Sequence, residues 1–222
     1  MTTERVLNIE DAINDPKKYR SELVLLMSNK PNVFRMWSIL EERGVIAQDN
    51  LELDPNDWKS HSDSASGIKL GLQPTPENKK SRRLFKPESF SADDEVLYKL
   101  NHEICHKFLS FLVSEKSELS GILINLFETF KVIRDSGFGL TDRSHLDDQL
   151  EIIPTNDDLA KEDLVEFIAM SLWSDEYFND YMNYLASGDK KEERKNRKLV
   201  SLGEKTTNVL SGIRDKILLR LG

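Results

Sequence analysis

Apolar residues recur every three or four positions along most of this chain. That spacing places them on one face of an α-helix, and helices are expected to end where proline or glycine interrupts the pattern. The first helix is expected to open at Ile9 and to end before Pro16, Pro31 interrupts the next, and Gly44 stops the third. The further predicted helices cover residues 19–27, 33–43, 93–113, 118–134, 158–173 and 200–221.

Residues 49–92 have a different pattern, with several prolines and many short polar side chains, so helices are not expected there. Apolar and polar residues alternate over residues 67–72, which predicts a short strand, and residues 83–85 are a second candidate. The predicted fold class is therefore mainly α with a small β-sheet (α+β). A single domain over residues 1–222 is expected, with an N-terminal helical part at 1–50, a loop and short-strand part at 51–92, the central helices at 93–185 and a C-terminal helical tail at 186–222.

The composition is that of a soluble globular protein, with 38% hydrophobic and 32% charged residues. A net charge of −8 argues against nucleic acid as a partner, because no strong basic field would attract phosphate. Residues 1–18 lack the apolar segment of a signal peptide, and no stretch approaches the roughly 18 apolar residues of a membrane span. We therefore expect a cytoplasmic location without membrane contact, while the oligomeric state is not predicted.

The sequence HEICH at residues 102–106 lies inside the predicted helix over 93–113. Residues four apart share one helix face, so His102 and His106 can both reach one metal ion, with Glu103 able to reach a water bound to it. In this arrangement zinc lowers the pKa of its bound water towards about 7, and the glutamate accepts the proton as general base. Cys105, between the two histidines, is expected to be a packed thiol rather than a nucleophile or ligand.

The predicted helix over 158–173 carries Glu162 and Glu166 among apolar positions. On a helical wheel both fall on one arc with apolar side chains. The apolar members of that arc are Leu159, Val165, Ala169, Met170 and Trp173. Buried acids need a cation, a metal or hydrogen-bond donors, and a zinc site needs a third protein ligand. This helix therefore offers a candidate for the third zinc ligand.

Glu128 is the rival third ligand. If the helices over 93–113 and 118–134 run antiparallel, Glu128 comes to a similar height as His106. It lies nearly opposite the main apolar stripe of its own helix, however, so the burial argument favours Glu162. The two alternatives make different predictions about which carboxylate faces the histidines.

The pair HEICH and EDLVE, the second on a later helix, resembles the zincin-like metallopeptidases of the gluzincin type, and in its late E-x-x-x-E helix the lethal-factor-like group. The resemblance covers about ten residues, and it implies a zincin-like fold with one zinc ion. It implies His102 and His106 as ligands and Glu103 as the base. It also implies Glu162 as third ligand, with Glu166 orienting a ligand from behind.

The resemblance also implies a tyrosine that stabilises the transition state, supplied by the loop before the late helix. This chain has no tyrosine between Gly139 and Lys161. His145 lies in that loop and is one substitute, and Tyr177 and Tyr181 are others. The departure leaves this role without an assigned residue.

These observations predict zinc-dependent hydrolysis of peptide bonds, by an endopeptidase rather than an exopeptidase, on a peptide or protein substrate. The alternative is a catalytically inactive relative that acts as a structural or protein-interaction module. A third interpretation, a helical scaffold in which the motif arose by chance, predicts no zinc at all. The basic run at residues 79–83 is interpreted as a solvated loop, with contact to an acidic substrate as its alternative.

Overall fold

A computed structural model describes residues 7–62, 67–74, 90–115, 118–135, 156–187 and 210–221. Within these ranges the chain is mainly helical with one small three-stranded sheet, which confirms the predicted α+β class. The helices are α1 (Ile9–Asn14), α2 (Pro16–Met27), α3 (Pro31–Glu42), α4 (Ala92–Ser114), α5 (Glu118–Asp135), α6 (Asn156–Trp173), α7 (Asp175–Ser187) and α8, over residues 210–221. The strands are β1 (Leu51–Asp54), β2 (His61–Ser62) and β3 (Ile68–Gly71).

The N-terminal helices begin and end at residues suited to helix termini. Helix α2 begins at Pro16, and the side chain of Asp15 accepts a hydrogen bond from the backbone N–H of Lys18. Gly44 follows α3 with a φ of +67°, the left-handed conformation that commonly closes a helix. The predicted breaks at Pro16 and Gly44 are thus confirmed.

Strand β3 is the centre of the sheet, paired in parallel with β1 and antiparallel with β2. The strand expected over residues 67–72 is therefore confirmed. Strand β1 was not predicted, although its four residues, LELD, alternate between apolar and polar side chains just as the first three residues of β3 do. Helix α4 packs against β2 and β3, so the sheet lies beside the helix that carries the HEICH sequence.

Helix α4 lies in the interior of the molecule. Ser91 and Asp94 form a capping box at its start, in which the Ser91 hydroxyl accepts from the backbone N–H of Asp94 at 3.1 Å. The helix extends one residue beyond the predicted range at each end. All five residues from Asn101 to Cys105 are buried, which means that this part of α4 has protein on every side.

Helix α6 is even more enclosed, since every residue from 163 to 173 is buried. The helical wheel identified only one buried arc, yet Leu164, Phe167 and Ile168 outside that arc are buried as well. The reason is that α6 contacts α3, α4, α5 and α7. A helix surrounded by other helices loses the polar face on which a wheel depends.

Helix α7 was missing from the predicted elements, although its signals are present. Ser174 caps its start by accepting a hydrogen bond from the backbone N–H of Tyr177 at 3.0 Å, and two acids follow in the first turn. Helix α8 covers the second half of the helix expected over 200–221. The predictions for the strand at 83–85, the basic run at 79–83 and the first half of that final helix lie outside the described residues.

Buried apolar side chains from Ala12 to Leu221 form one hydrophobic cluster. The division of the chain into one domain with four parts stays a prediction. Across the described ranges, the helices are all too short or too polar to cross a lipid bilayer. In the hydrophobic cluster, α4 and α6 contact each other and several further helices, so the two helices that carry the candidate chemistry lie in the core.

Candidate metal centre

Two imidazoles project from the same face of α4. His102 and His106 are one helical turn apart, and their ring centroids are separated by 5.0 Å. The His102 side chain is 1% exposed and that of His106 is 17% exposed, so the pair leads from the interior towards solvent. Next to His102, Asn101 donates from Nδ2 to the backbone oxygen of Ala169 at 2.9 Å, which ties this turn of α4 to α6.

The carboxylate of Glu162 on α6 faces both imidazoles. Its Oε2 lies 3.3 Å from Nε2 of His102, and its Oε1 lies 3.4 Å from Nε2 of His106. The Glu162 side chain is 14% exposed, and together with His106 it forms the solvent-facing side of the cluster. Two residues from one helix and one from another therefore converge on a common point.

Glu166, one turn further along α6, lies behind the first imidazole. Its Oε2 is 2.9 Å from Nδ1 of His102, and its Oε1 accepts a hydrogen bond from the Tyr98 hydroxyl at 2.9 Å. An ionised carboxylate can only accept, so Nδ1 of His102 carries the proton in this contact. The Nε2 atom of His102 is directed at Glu162 at 3.3 Å, and a metal ion held by both residues would take the place of the proton between them.

The charge of Glu162 follows from two opposing effects. Burial raises its pKa, but the nearby imidazoles of His106 and His102 outweigh burial and hold the pKa of Glu162 well below its usual range. Glu162 is therefore ionised at neutral pH. An ionised carboxylate is the form that can either pair with an imidazolium or coordinate a cation.

The donor set could hold a divalent metal ion such as zinc. Among the described residues, His102, His106 and Glu162 each offer one ligand atom, and these atoms lie within 4.8 Å of one another. Zinc bonds of about 2.0–2.2 Å in a tetrahedron place neighbouring ligand atoms roughly 3.3–3.5 Å apart. The two N–O separations fall in that range, although each imidazole faces a different oxygen of the carboxylate. Other divalent transition metals accept the same donors, so the set is not specific to zinc.

The two remaining side chains of the HEICH sequence are also buried. Glu103 is 1% exposed and does not belong to the group of three described donors within reach of one ion, which agrees with a role other than ligand. Cys105 is fully buried, and burial, with the charges of Glu166 and Glu103, raises its thiol pKa well above the usual value. Cys105 is thus a packed thiol, as expected, and not a thiolate nucleophile.

The other candidates from the sequence are not among the donors grouped at the cluster, or they lie outside the described residues. The Glu128 side chain on α5 is 62% exposed, and it lies 3.9 Å from the charged group of Lys131 on the same helix. Tyr177 is 3% exposed, and its ring lies 5.7 Å from that of Tyr98. His145 lies outside the described part of the chain, and the same holds for the side chain of Tyr181. No residue is therefore assigned to stabilise a transition state.

Sequence reasoning missed two groups that shape the site. Tyr98 lies four residues before His102, so the same one-turn spacing that relates the histidines could have identified it. Arg134 on α5, itself partly buried, forms an ion pair with the buried Asp163, the neighbour of Glu162, and no local pattern indicates this contact between distant segments. Both groups contact side chains of α6, the helix that carries Glu162.

Comparisons with protein-family models, with curated proteins and with solved structures found no match to this chain. The resemblance to gluzincins therefore depends on the two short sequences, HEICH at 102–106 and EDLVE at 162–166. What the structure adds is that side chains from these two sequences lie together in space. That proximity is the observation from which a function can be inferred.

Proposed function

We propose that this chain is a zinc-dependent peptide hydrolase of the gluzincin type, acting on a peptide or protein substrate. The observation that supports the proposal is the convergence of His102, His106 and Glu162 across α4 and α6. Sixty positions separate His102 from Glu162 in the sequence, and yet the carboxylate faces both imidazoles. A chance HEICH sequence would not require an acidic partner at that place.

In this proposal Nε2 of each histidine and a carboxylate oxygen of Glu162 hold the ion. Bound zinc would lower the pKa of a coordinated water towards about 7 and polarise the substrate carbonyl. Glu166 keeps the proton of His102 on Nδ1, which leaves the Nε2 lone pair directed at the ion. Three side chains would thus bind the ion, and the fourth, Glu166, would orient one of them.

Glu103 is the proposed general base. It follows His102 on α4 and so lies about 100° round the helix from it. Its carboxylate would accept the proton lost by the attacking water and return it to the amine nitrogen of the leaving peptide. The proton is conserved, and no other co-reactant is needed besides water.

The test compares the parent protein with Glu103→Gln. The parent should hold about one zinc ion per chain by elemental analysis and should cleave a denatured protein such as casein. Glu103→Gln should keep the zinc and lose turnover by about 10²- to 10⁴-fold, the usual contribution of a general base. Glu42→Gln, an exposed change at the end of α3, serves as the matched control and should leave both unchanged.

A catalytically inactive module that retains the metal site is the second candidate. The observation that favours it is the 1% exposure of Glu103, since a general base must meet a water molecule. This candidate predicts bound zinc with no cleavage by the parent protein. Absence of zinc after refolding with the metal would contradict the hydrolase and the metal-bound form of the inactive module. It would leave a module without metal, in which the cluster is a set of imidazole–carboxylate pairs.

A further inference from the structure

Three buried side chains form a continuous hydrogen-bonded chain that ends at the candidate metal centre. The Tyr98 hydroxyl donates to Oε1 of Glu166 at 2.9 Å, and Oε2 of the same carboxylate lies 2.9 Å from Nδ1 of His102. All three side chains are at most 2% exposed. Tyr98 and His102 are one turn apart on α4, so one helix supplies both ends of the chain and α6 supplies the middle.

The ring of Tyr98 is held in place by other aromatic rings. Its centroid lies 5.1 Å from Trp173, 5.5 Å from Phe90 and 5.7 Å from Tyr177. These separations are typical of favourable aromatic pairs. A tyrosine has only two side-chain torsions, so fixing the ring also fixes the direction of its hydroxyl.

We infer that Tyr98 is a positioning residue of the metal centre, acting through Glu166 on the orientation of His102. The inference rests on the proposed function, because it concerns the same site. The Tyr98 hydroxyl holds one carboxylate oxygen, which turns the other oxygen towards Nδ1 of His102. That contact sets the tautomer and the ring plane of His102 and so directs Nε2 at Glu162 and the ion.

The first test is Tyr98→Phe, which removes the hydroxyl and keeps the ring in its aromatic surroundings. Zinc affinity is measured by competition with a chromophoric chelator, and the geometry of the site by the visible absorption of bound Co²⁺. We expect zinc to bind about 10-fold more weakly, the lower end of the range for outer partners of metal ligands, with an altered Co²⁺ spectrum.

Tyr19→Phe is the matched control. Tyr19 lies on α2, is 1% exposed, and loses the same buried hydroxyl when it is changed. Its zinc affinity and Co²⁺ spectrum should equal those of the parent. Equal affinities and spectra for Tyr98→Phe and Tyr19→Phe would overturn the inference.

A double-mutant cycle with Glu166→Ala separates positioning from general packing. Glu166→Ala should weaken zinc binding about 10- to 100-fold. If Tyr98 acts through Glu166, adding Tyr98→Phe to that variant should produce no further loss. An equal loss in both backgrounds would mean that Tyr98 acts by packing and would overturn the inference.

Two readouts keep this test separate from that of the proposed function. If the parent binds no zinc, the proposed function fails, and the inference fails with it. If the parent binds zinc and Tyr98→Phe does not differ from it, only the inference fails. Should Glu166→Ala not fold, the Co²⁺ spectrum of Tyr98→Phe against Tyr19→Phe decides by itself.

Discussion

Helix α6 buries acidic side chains in two different environments. Glu162 and Glu166 face the imidazoles of α4, whereas Asp163 faces the guanidinium group of Arg134 on α5. In both places a carboxylate is removed from water and needs a cationic or hydrogen-bonding partner. The kind of partner decides what each environment can do.

The pair of Asp163 and Arg134 is a structural ion pair and does not offer a metal-binding group. Nε and Nη2 of Arg134 each donate to a separate oxygen of Asp163, both at 2.5 Å, and Asp163 is fully buried. A guanidinium group keeps its charge at all ordinary pH values and has no lone pair to offer a metal. This pair therefore fastens α5 to α6 and leaves no position for a ligand.

The imidazole side of α6 has the opposite properties. An imidazole can be neutral at physiological pH, and its unprotonated nitrogen is a metal ligand. Two such nitrogens face one carboxylate, and the side chains of His106 and Glu162 are partly open to solvent. Burial of an acid therefore does not by itself indicate a metal site, and what distinguishes Glu162 is that its carboxylate shares a group with two imidazole nitrogens that could hold one ion.

The largest expected effect is that of Glu162→Ala on metal binding. The substitution removes one of three proposed ligands, so zinc affinity should fall by more than the roughly 100-fold that loss of an outer partner can cost. Chelator competition measures the change. Asp157→Ala, at a 60% exposed acid in the first turn of the same helix, is the control and should bind zinc as the parent does. If Glu162→Ala retains the zinc affinity of the parent, Glu162 is not a metal ligand, and its contacts to the two imidazoles stabilise the fold, as the contact of Asp163 with Arg134 does.

Arg134→Ala should affect stability instead. The variant removes both guanidinium contacts of the fully buried Asp163 carboxylate, and breaking a buried ion pair from one side typically costs about 3–5 kcal/mol. Urea unfolding of the metal-free protein measures this loss, while zinc affinity of the folded protein should stay near that of the parent. Lys131→Ala breaks an exposed ion pair to Asp157 between the same two helices and should change stability little.

A zinc affinity that falls with Arg134→Ala as far as with Glu162→Ala would contradict the separation of the two environments. It would mean that the ion pair on one face of α6 sets the position of Glu162 on the other. Urea unfolding decides whether such a loss reflects unfolding, because the affinity is compared only below the unfolding transition.

Much of the helical framework could be predicted from the sequence, because caps and helix breakers act locally. Asp15, Ser91 and Gly44 form contacts or conformations within a few residues of their own position. Strand β1 was missed although LELD alternates as a strand does, but which strand it pairs with could not be predicted, because its partner β3 lies more than a dozen residues later. The complete burial of α6 could not be predicted either, because four neighbouring helices cover the face that a helical wheel assigns to solvent.

Within the candidate site, sequence reasoning placed the side chains of α4 by the regularity of the helix itself. The meeting of Glu162 with His102 and His106 could be predicted only through the argument that buried acids need partners. The same argument did not identify Asp163, which lies beside Glu162 and is buried more deeply. The wheel put Asp163 off the apolar arc, and its partner Arg134 belongs to a different helix. Pairing across helices is a property of the assembled core and leaves little trace in either segment.

The smallest expected effect is that of Glu128→Ala. Glu128 was the rival third ligand, but its side chain is 62% exposed on α5, beside Lys131. Its removal takes nothing from the group formed by His102, His106 and Glu162, so zinc affinity should equal that of the parent within the error of a chelator competition. If Glu128→Ala loses zinc while Glu162→Ala keeps it, the third ligand comes from α5, and the imidazoles of α4 must turn away from α6 when the ion binds. Changes in fluorescence or absorption that report zinc binding should therefore be collected for the two variants in parallel, since their order decides which helix completes the site.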